Sequence, residues 1–155
     1  MLLKQFSLNL KKNNMEKTNK ALFIDVVNKT IKTIELDKHF ESISKAIGNG
    51  CQYFCCPYSF YNDDSLYADD ESLLRIDSIK GGFKLVRDYG ENKEVGNYIL
   101  IVGNAIVLGT DSEGDSVDVK FTPEEIAEKI IFIDETMAKE YAKKVMETKP
   151  RFFSF

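Results

Sequence analysis

At 155 residues, 43% hydrophobic and 12% aromatic, the chain suits one globular domain with a real core and does not suit disorder. Its net charge of −4 is uneven: residues 1–20 carry five Lys and one Glu, which leaves −8 on the rest. That acidic body lacks the Lys/Arg surface that duplex nucleic acid demands, and no apolar run reaches the roughly 20 residues of a membrane span.

The opening MLLKQFSLNLKKNN makes a poor signal peptide, because Lys4 and Gln5 interrupt its short apolar stretch and no small-residue cleavage site follows. The expectation is a cytoplasmic protein with a basic leader over residues 1–20, in which Met15 offers an alternative start. A single domain then spans 21–149, and 150–155 form an aromatic tail.

Ala21–Val27 and Thr30–Leu36 read as an opening β-hairpin around Asn28-Lys29. Asp37 is the expected N-cap of a helix over Lys38–Ile47, with Phe40, Ile43, Ala46 and Ile47 on one stripe and Gly48 at the C-terminus. Gly50–Pro57 reads as a strand rich in aromatics and Cys, and Tyr58–Asp64 as a loop. Ser65–Ala68 and Ser72–Ile76 read as strands around the acidic turn Asp69-Asp70-Glu71. Phe83–Arg87 is another strand, followed by a loop over Asp88–Asn92. Tyr98–Thr110 is the longest strand, bent at Gly103, and Val117–Val119 pairs back across the turn Asp111–Ser116.

A capping box follows: Thr122 as N-cap, Pro123 at the first helical position and Glu125 at the third, with Phe121 placed to staple onto Ile126. Ile126, Ile130, Ile133, Met137, Tyr141 and Val145 fall on one helical stripe, so a single long helix running to Lys149 is expected. The fold class is α+β: a mostly antiparallel, twisted sheet packed against a long C-terminal helix, with a short helix after the first hairpin.

Taken in order, FIDVVNKTIKTIEL, the helix ending AIGNG before an aromatic strand, LYADDESLLRID, VGNAIVLGTDSEGD and the capped FTPEEI resemble an uncharacterised bacterial and phage family, domain of unknown function 3846. The resemblance covers roughly residues 21–130. It implies a small cytoplasmic accessory protein, and it supplies no reaction, cofactor or catalytic residue.

The chemistry-bearing residues are few. Cys51, Cys55 and Cys56 read as reduced thiols, mostly buried in a strand; zinc would need a fourth ligand, and the only His is His39. Asp111, Glu113, Asp115 and Asp118 form an acidic loop without the ligand order of an EF-hand, so a solvated turn is preferred over a metal site. GxxxxGK[ST], GxGxxG and HExxH are all missing from the chain, and no cofactor is expected. Tyr53, Phe54, Tyr58, Phe60, Tyr61 and Tyr67 crowd together beside Asp63 and Asp64. They either fill one end of the core or form a binding face. As a binding face, their acidic surroundings favour a protein or a ligand with a positive group over single-stranded nucleic acid. The expected function is a non-enzymatic binding protein acting through an acidic or aromatic surface, with Tyr53, Tyr58, Tyr61, Asp63, Asp64 and Tyr67 as candidate contacts. The alternative is a small enzyme or ligand binder with a pocket near Tyr53, Cys55 and Tyr61.

Overall fold

The computed structural model describes residues 18–87 and 98–148. The leader up to residue 17, the Asp88–Asn92 loop, Lys149 and the aromatic tail lie outside the described residues.

The opening hairpin forms as its alternation demands. β1 (Thr18–Asp25) pairs antiparallel with β2 (Thr30–Asp37) from Thr18↔Asp37 to Asp25↔Thr30. β1 therefore starts three residues before the expected domain boundary at Ala21. The connecting turn is built on Asp25, whose Oδ1 accepts the N–H groups of Val27 and Asn28 at 3.0 and 3.1 Å. α1 (Glu41–Ile47) follows. Asp37 does not cap it; its carboxylate accepts the His39 N–H at 2.9 Å, and Phe40 occupies the N-cap position.

After α1 the chain passes through left-handed backbone at Gly48, Asn49 and Gly50. That turn delays the aromatic strand: β3 is Phe54–Ser59, not Gly50–Pro57. Pro57 sits within β3 because this is an edge strand whose register shifts between Cys55 and Tyr58, so the missing N–H falls where no ladder partner is needed. β4 (Asp64–Asp69) returns beside it. The expected strand over Ser72–Ile76 is instead two short 3₁₀ turns, Ser72–Leu74 and Ile76–Ser78. Between them Arg75 pairs with the Asp69 carboxylate and so folds the segment back on β4.

β5 (Gly82–Val86), β6 (Tyr98–Val102), β7 (Ala105–Thr110) and the two-residue β8 (Ser116–Val117) come next. Gly103, at φ 91°, does more than bend one long strand: β6 and β7 belong to different sheets. Asn104 fastens the crossover, accepting the Val26 N–H at 3.0 Å and donating to the Ile47 carbonyl at 3.1 Å. One sheet has the order β2-β1-β7-β4-β3 with β8 on β7, and the other has the order β6-β5-β9.

The expected C-terminal helix is divided. α2 (Pro123–Ala127) carries the full capping box and holds Ile126 in the core, but it stops after five residues. β9 (Ile130–Ile133) then pairs with β5, and α3 (Glu135–Thr148) begins anew, with Asp134 accepting the Met137 N–H at 2.8 Å. The reason lies in Ile130-Ile131-Phe132-Ile133. Its β-branched and aromatic side chains suit a pleated surface: Ile130 and Phe132 face the large core, Ile133 faces α3, and Ile131 is exposed. Ala138 and Ala142, not Met137, form the buried face of α3. The α+β class, the antiparallel pairing, the short helix after the first hairpin and a C-terminal helix are all present.

Packing follows the alternation. Leu22, Ile24, Leu66, Ala105 and Val107 face the second sheet through Phe83, Leu85, Ile101 and Ile130. Ala21, Leu36, Ile106 and Leu108 face α1 through Ile43 and Ile47. Val102 and Ile133 meet Ala138 and Ala142 of α3. β7 lies between β1 and β4 with both faces covered, which explains its unbroken apolar run.

Candidate functional site

The residues expected to make one binding surface do not share one. Tyr53 and Tyr61 are exposed, at 62% and 77%, but they flank β3 from opposite ends. Tyr58 packs edge-on to Phe60 in the large core. Tyr67 points to the other face and packs edge-on to Phe54 beneath α1. Asp63 takes left-handed backbone, and its carbonyl accepts the Thr110 N–H. Asp64 is fully buried and accepts the N–H groups of Lys120 and Phe121 at 3.0 Å. Tyr58, Tyr67 and Asp64 are therefore built into the fold.

Cys55 borders a cleft of about 100 Å³ with Leu100 and Tyr141, and neither Tyr53 nor Tyr61 lines it. The thiols of Cys51 and Cys55 are pushed up to about 11, first by burial and then by the charges of Asp69 and Asp70 respectively. Both are half-buried and held as thiols at neutral pH, so they are poor nucleophiles. Cys56 is exposed, and Cys51 lies outside β3, so the reading of a buried strand triplet is corrected.

A larger concavity lies on the α1 side of the first sheet. β2 ends at Asp37, and the chain turns sharply through Lys38, His39 and Phe40, fixed by Ser42 Oγ, which donates to the carbonyls of Asp37 and His39. The turn leaves Phe40 74% exposed, although its spacing placed it on the buried stripe of the helix. Its ring leans on Phe54 at 4.4 Å between centroids. The opposite wall is the β7–β8 turn, where Asp111 Oδ1 accepts the N–H groups of Glu113 and Asp115 at 2.9 and 2.8 Å. Ile43 and Leu108 form the floor. The cleft encloses about 460 Å³, within the range of small-ligand and side-chain sites.

The walls carry three carboxylates, Asp37, Asp111 and Asp115, against Lys38 and the imidazole of His39. Glu113 is not among them. Among the described residues no three His, Cys, Asp or Glu side chains are grouped to hold a metal ion. The arrangement fits a cation attached to something apolar: carboxylates for the charge, Phe40 and the Ile43–Leu108 floor for the rest.

Sequence reasoning singled out Asp111 and Asp115 only as a weak metal candidate, and it missed Asp37, Phe40 and Ser42 as site residues. The signal for Phe40 was its position at the very start of the helical pattern, where a side chain escapes the core. Nothing in the sequence brings Asp37 opposite Asp111, which are 74 positions apart.

Among the described residues no helix is long and apolar enough to cross a membrane. No family model, no curated protein and no solved structure matches the chain.

Proposed function

We propose that the protein is a non-enzymatic accessory protein of phage or mobile-element type, cytoplasmic, that modulates a partner protein by gripping a basic segment in the cleft between α1 and the β7–β8 turn. The observation that carries this reading is Phe40: a phenyl ring left 74% exposed at the rim of a cleft with carboxylates on its walls and an apolar floor. A large exposed ring beside such a cavity is more informative than scattered surface apolar residues. The order of motifs, which resembles that of the phage and bacterial family, is the support for the accessory role.

Magnitudes divide the labour. Exposed ion pairs contribute about 0.2–1 kcal/mol each, so Asp37, Asp111 and Asp115 chiefly steer and orient a positive segment. An aromatic anchor is worth about 2 kcal/mol, so Phe40 supplies most of the affinity. The acidic body disfavours duplex DNA as the partner.

The test is fluorescence anisotropy with a short peptide containing Lys and Phe, across a salt series. Phe40→Ala is expected to weaken binding about thirtyfold, the equivalent of about 2 kcal/mol. Asp111→Asn with Asp115→Asn should weaken it less and flatten the salt dependence. Circular dichroism melts confirm that each variant is folded. Equal binding by parent and Phe40→Ala, or failure of the folded parent to bind, would sink the reading.

A further inference from the structure

The cleft lies where the first described strand begins. Thr18, the first residue of β1, pairs with Asp37, and the Asn19 side chain donates to the Ser116 carbonyl at 3.2 Å. Asp37 and Ser116 both line the cleft. Whatever precedes Thr18 is therefore tethered at the cleft margin. What precedes it is MLLKQFSLNLKKNNMEK, with four Lys and one Glu, net +3, interleaved with Leu2, Leu3, Phe6, Leu8 and Leu10. Its charge opposes that of the acidic body, and it combines positive and apolar side chains as the cleft requires. At 3.3–3.6 Å per residue, Lys11 and Lys12 have a reach of about 20 Å from Thr18, enough to arrive at any wall of the cleft.

We propose that the chain's own leader, residues 1–17, is a ligand of this cleft and competes there with the basic segment of the partner. The proposal rests on the reading of the cleft as a site for basic segments. Tethering makes even weak recognition effective. At an effective concentration on the order of 1 mM, typical of a segment tethered close to its site, an intrinsic Kd of about 0.1 mM would fill the cleft roughly nine-tenths of the time. A partner would then bind about tenfold more weakly than to the open cleft. The device sets a threshold: weakly basic segments are turned away, and only a partner with a better anchor for Phe40 displaces the leader.

The experiment uses the full chain and compares it with Lys11→Glu plus Lys12→Glu. The first readout is the affinity for the fluorescent Lys- and Phe-containing peptide, expected to tighten about tenfold in the double variant. The second is the rate of carbethoxylation by diethyl pyrocarbonate at His39, the only histidine and a cleft residue. That rate should rise in the double variant, and a synthetic peptide of residues 1–17 added in trans should lower it again. If parent and variant bind the probe equally and His39 reacts at the same rate in both, the leader is not a ligand, while the cleft remains a binding site. If the probe binds neither protein, the cleft reading itself falls and takes this inference with it.

Discussion

Two acidic turns that look alike in sequence are used in opposite ways. Asp63-Asp64 and Asp69-Asp70 bracket β4, an interior strand between β7 and β3. Asp64 and Asp69 at its two ends are buried, and each carboxylate serves the fold: Asp64 accepts the N–H groups of Lys120 and Phe121, and Asp69 accepts the Glu71 N–H and pairs with Arg75. Asp111 and Asp115 sit on the β7–β8 turn, are exposed, and face the open cleft. The number of carboxylates in a turn says little about their role. What decides it is burial: Asp64 and Asp69 are enclosed by the chain whose donors they bind, whereas the Asp111–Asp115 turn stands exposed beside the cleft.

The comparison breaks most visibly at Asp64. Asp64→Ala leaves two backbone donors without an acceptor, one buried on Phe121 and one part-buried on Lys120. At 1–3 kcal/mol for each orphaned donor, the cost should be about 3 kcal/mol or more, a fall in Tm of roughly 10 °C. A melt within about 2 °C of the parent would mean that water replaces the carboxylate and that Asp64 is not inward in any energetic sense.

The carboxylates at the end of β4 also mark the thiols beside them. With Cys51 and Cys55 raised to about 11 from the ordinary 9.0, first by burial and then by Asp69 and Asp70 respectively, each carries about a hundredfold less thiolate at pH 8 than an unperturbed cysteine. Iodoacetamide labelling followed by mass spectrometry should modify the exposed Cys56 first. Cys51 and Cys55 should react slowly until the pH approaches their raised values or the protein unfolds. Equal rates at all three sites would contradict the burial described here.

Thr122→Ala tests the connection that Asp64 holds in place. The Thr122 Oγ1 accepts the Glu125 N–H at 3.2 Å, and Glu125 reciprocates to the Thr122 N–H at 3.1 Å. Losing half of the box should cost about 1 kcal/mol, a few degrees of Tm. A larger loss would show that this five-residue helix depends on its cap more than longer helices do.

Much of this was legible, and the failures share a cause. The capping box, the opening hairpin and the α+β class follow from local chemistry, which acts within a few residues. The long helix failed because Ile126, Ile130, Ile133, Met137 and Tyr141 satisfy helical spacing while the β-branched run Ile130–Ile133 also satisfies a strand. The choice was made by β5, which offers the pairing Leu85↔Ile130 to Gly82↔Ile133. The strand through Gly103 failed in the same way, since only tertiary contacts reveal that its two halves serve different sheets. For the site, the acidic turn at Asp111 was visible, but the facing wall, His39 and Phe40, is contributed by a distant turn. The aromatic density at Tyr53–Tyr67 drew attention to rings that the fold divides: Phe54 and Tyr67 pack beneath α1, Tyr58 and Phe60 pack in the large core, and Tyr53 and Tyr61 are exposed.

The smallest expected effect on stability is the most decisive for function. Asp111→Asn keeps an oxygen to accept the N–H groups of Glu113 and Asp115, so the turn should persist. Adding Asp115→Asn removes a second exposed charge. Surface changes of this kind usually stay within about 0.5 kcal/mol, and relief of repulsion between the two carboxylates would offset part of that. The melt should therefore match the parent while affinity for a basic peptide falls and its salt dependence flattens, since two of the three cleft carboxylates are gone. Asp64→Asn is the control for the single Asp111→Asn change: it also removes one charge, but at a buried carboxylate, so stability should fall while peptide affinity of the folded fraction is unchanged. If instead the Asp111–Asp115 pair proved costly to the melt and neutral to binding, the two acidic turns would be alike after all, and the cleft would be a by-product of the hairpin.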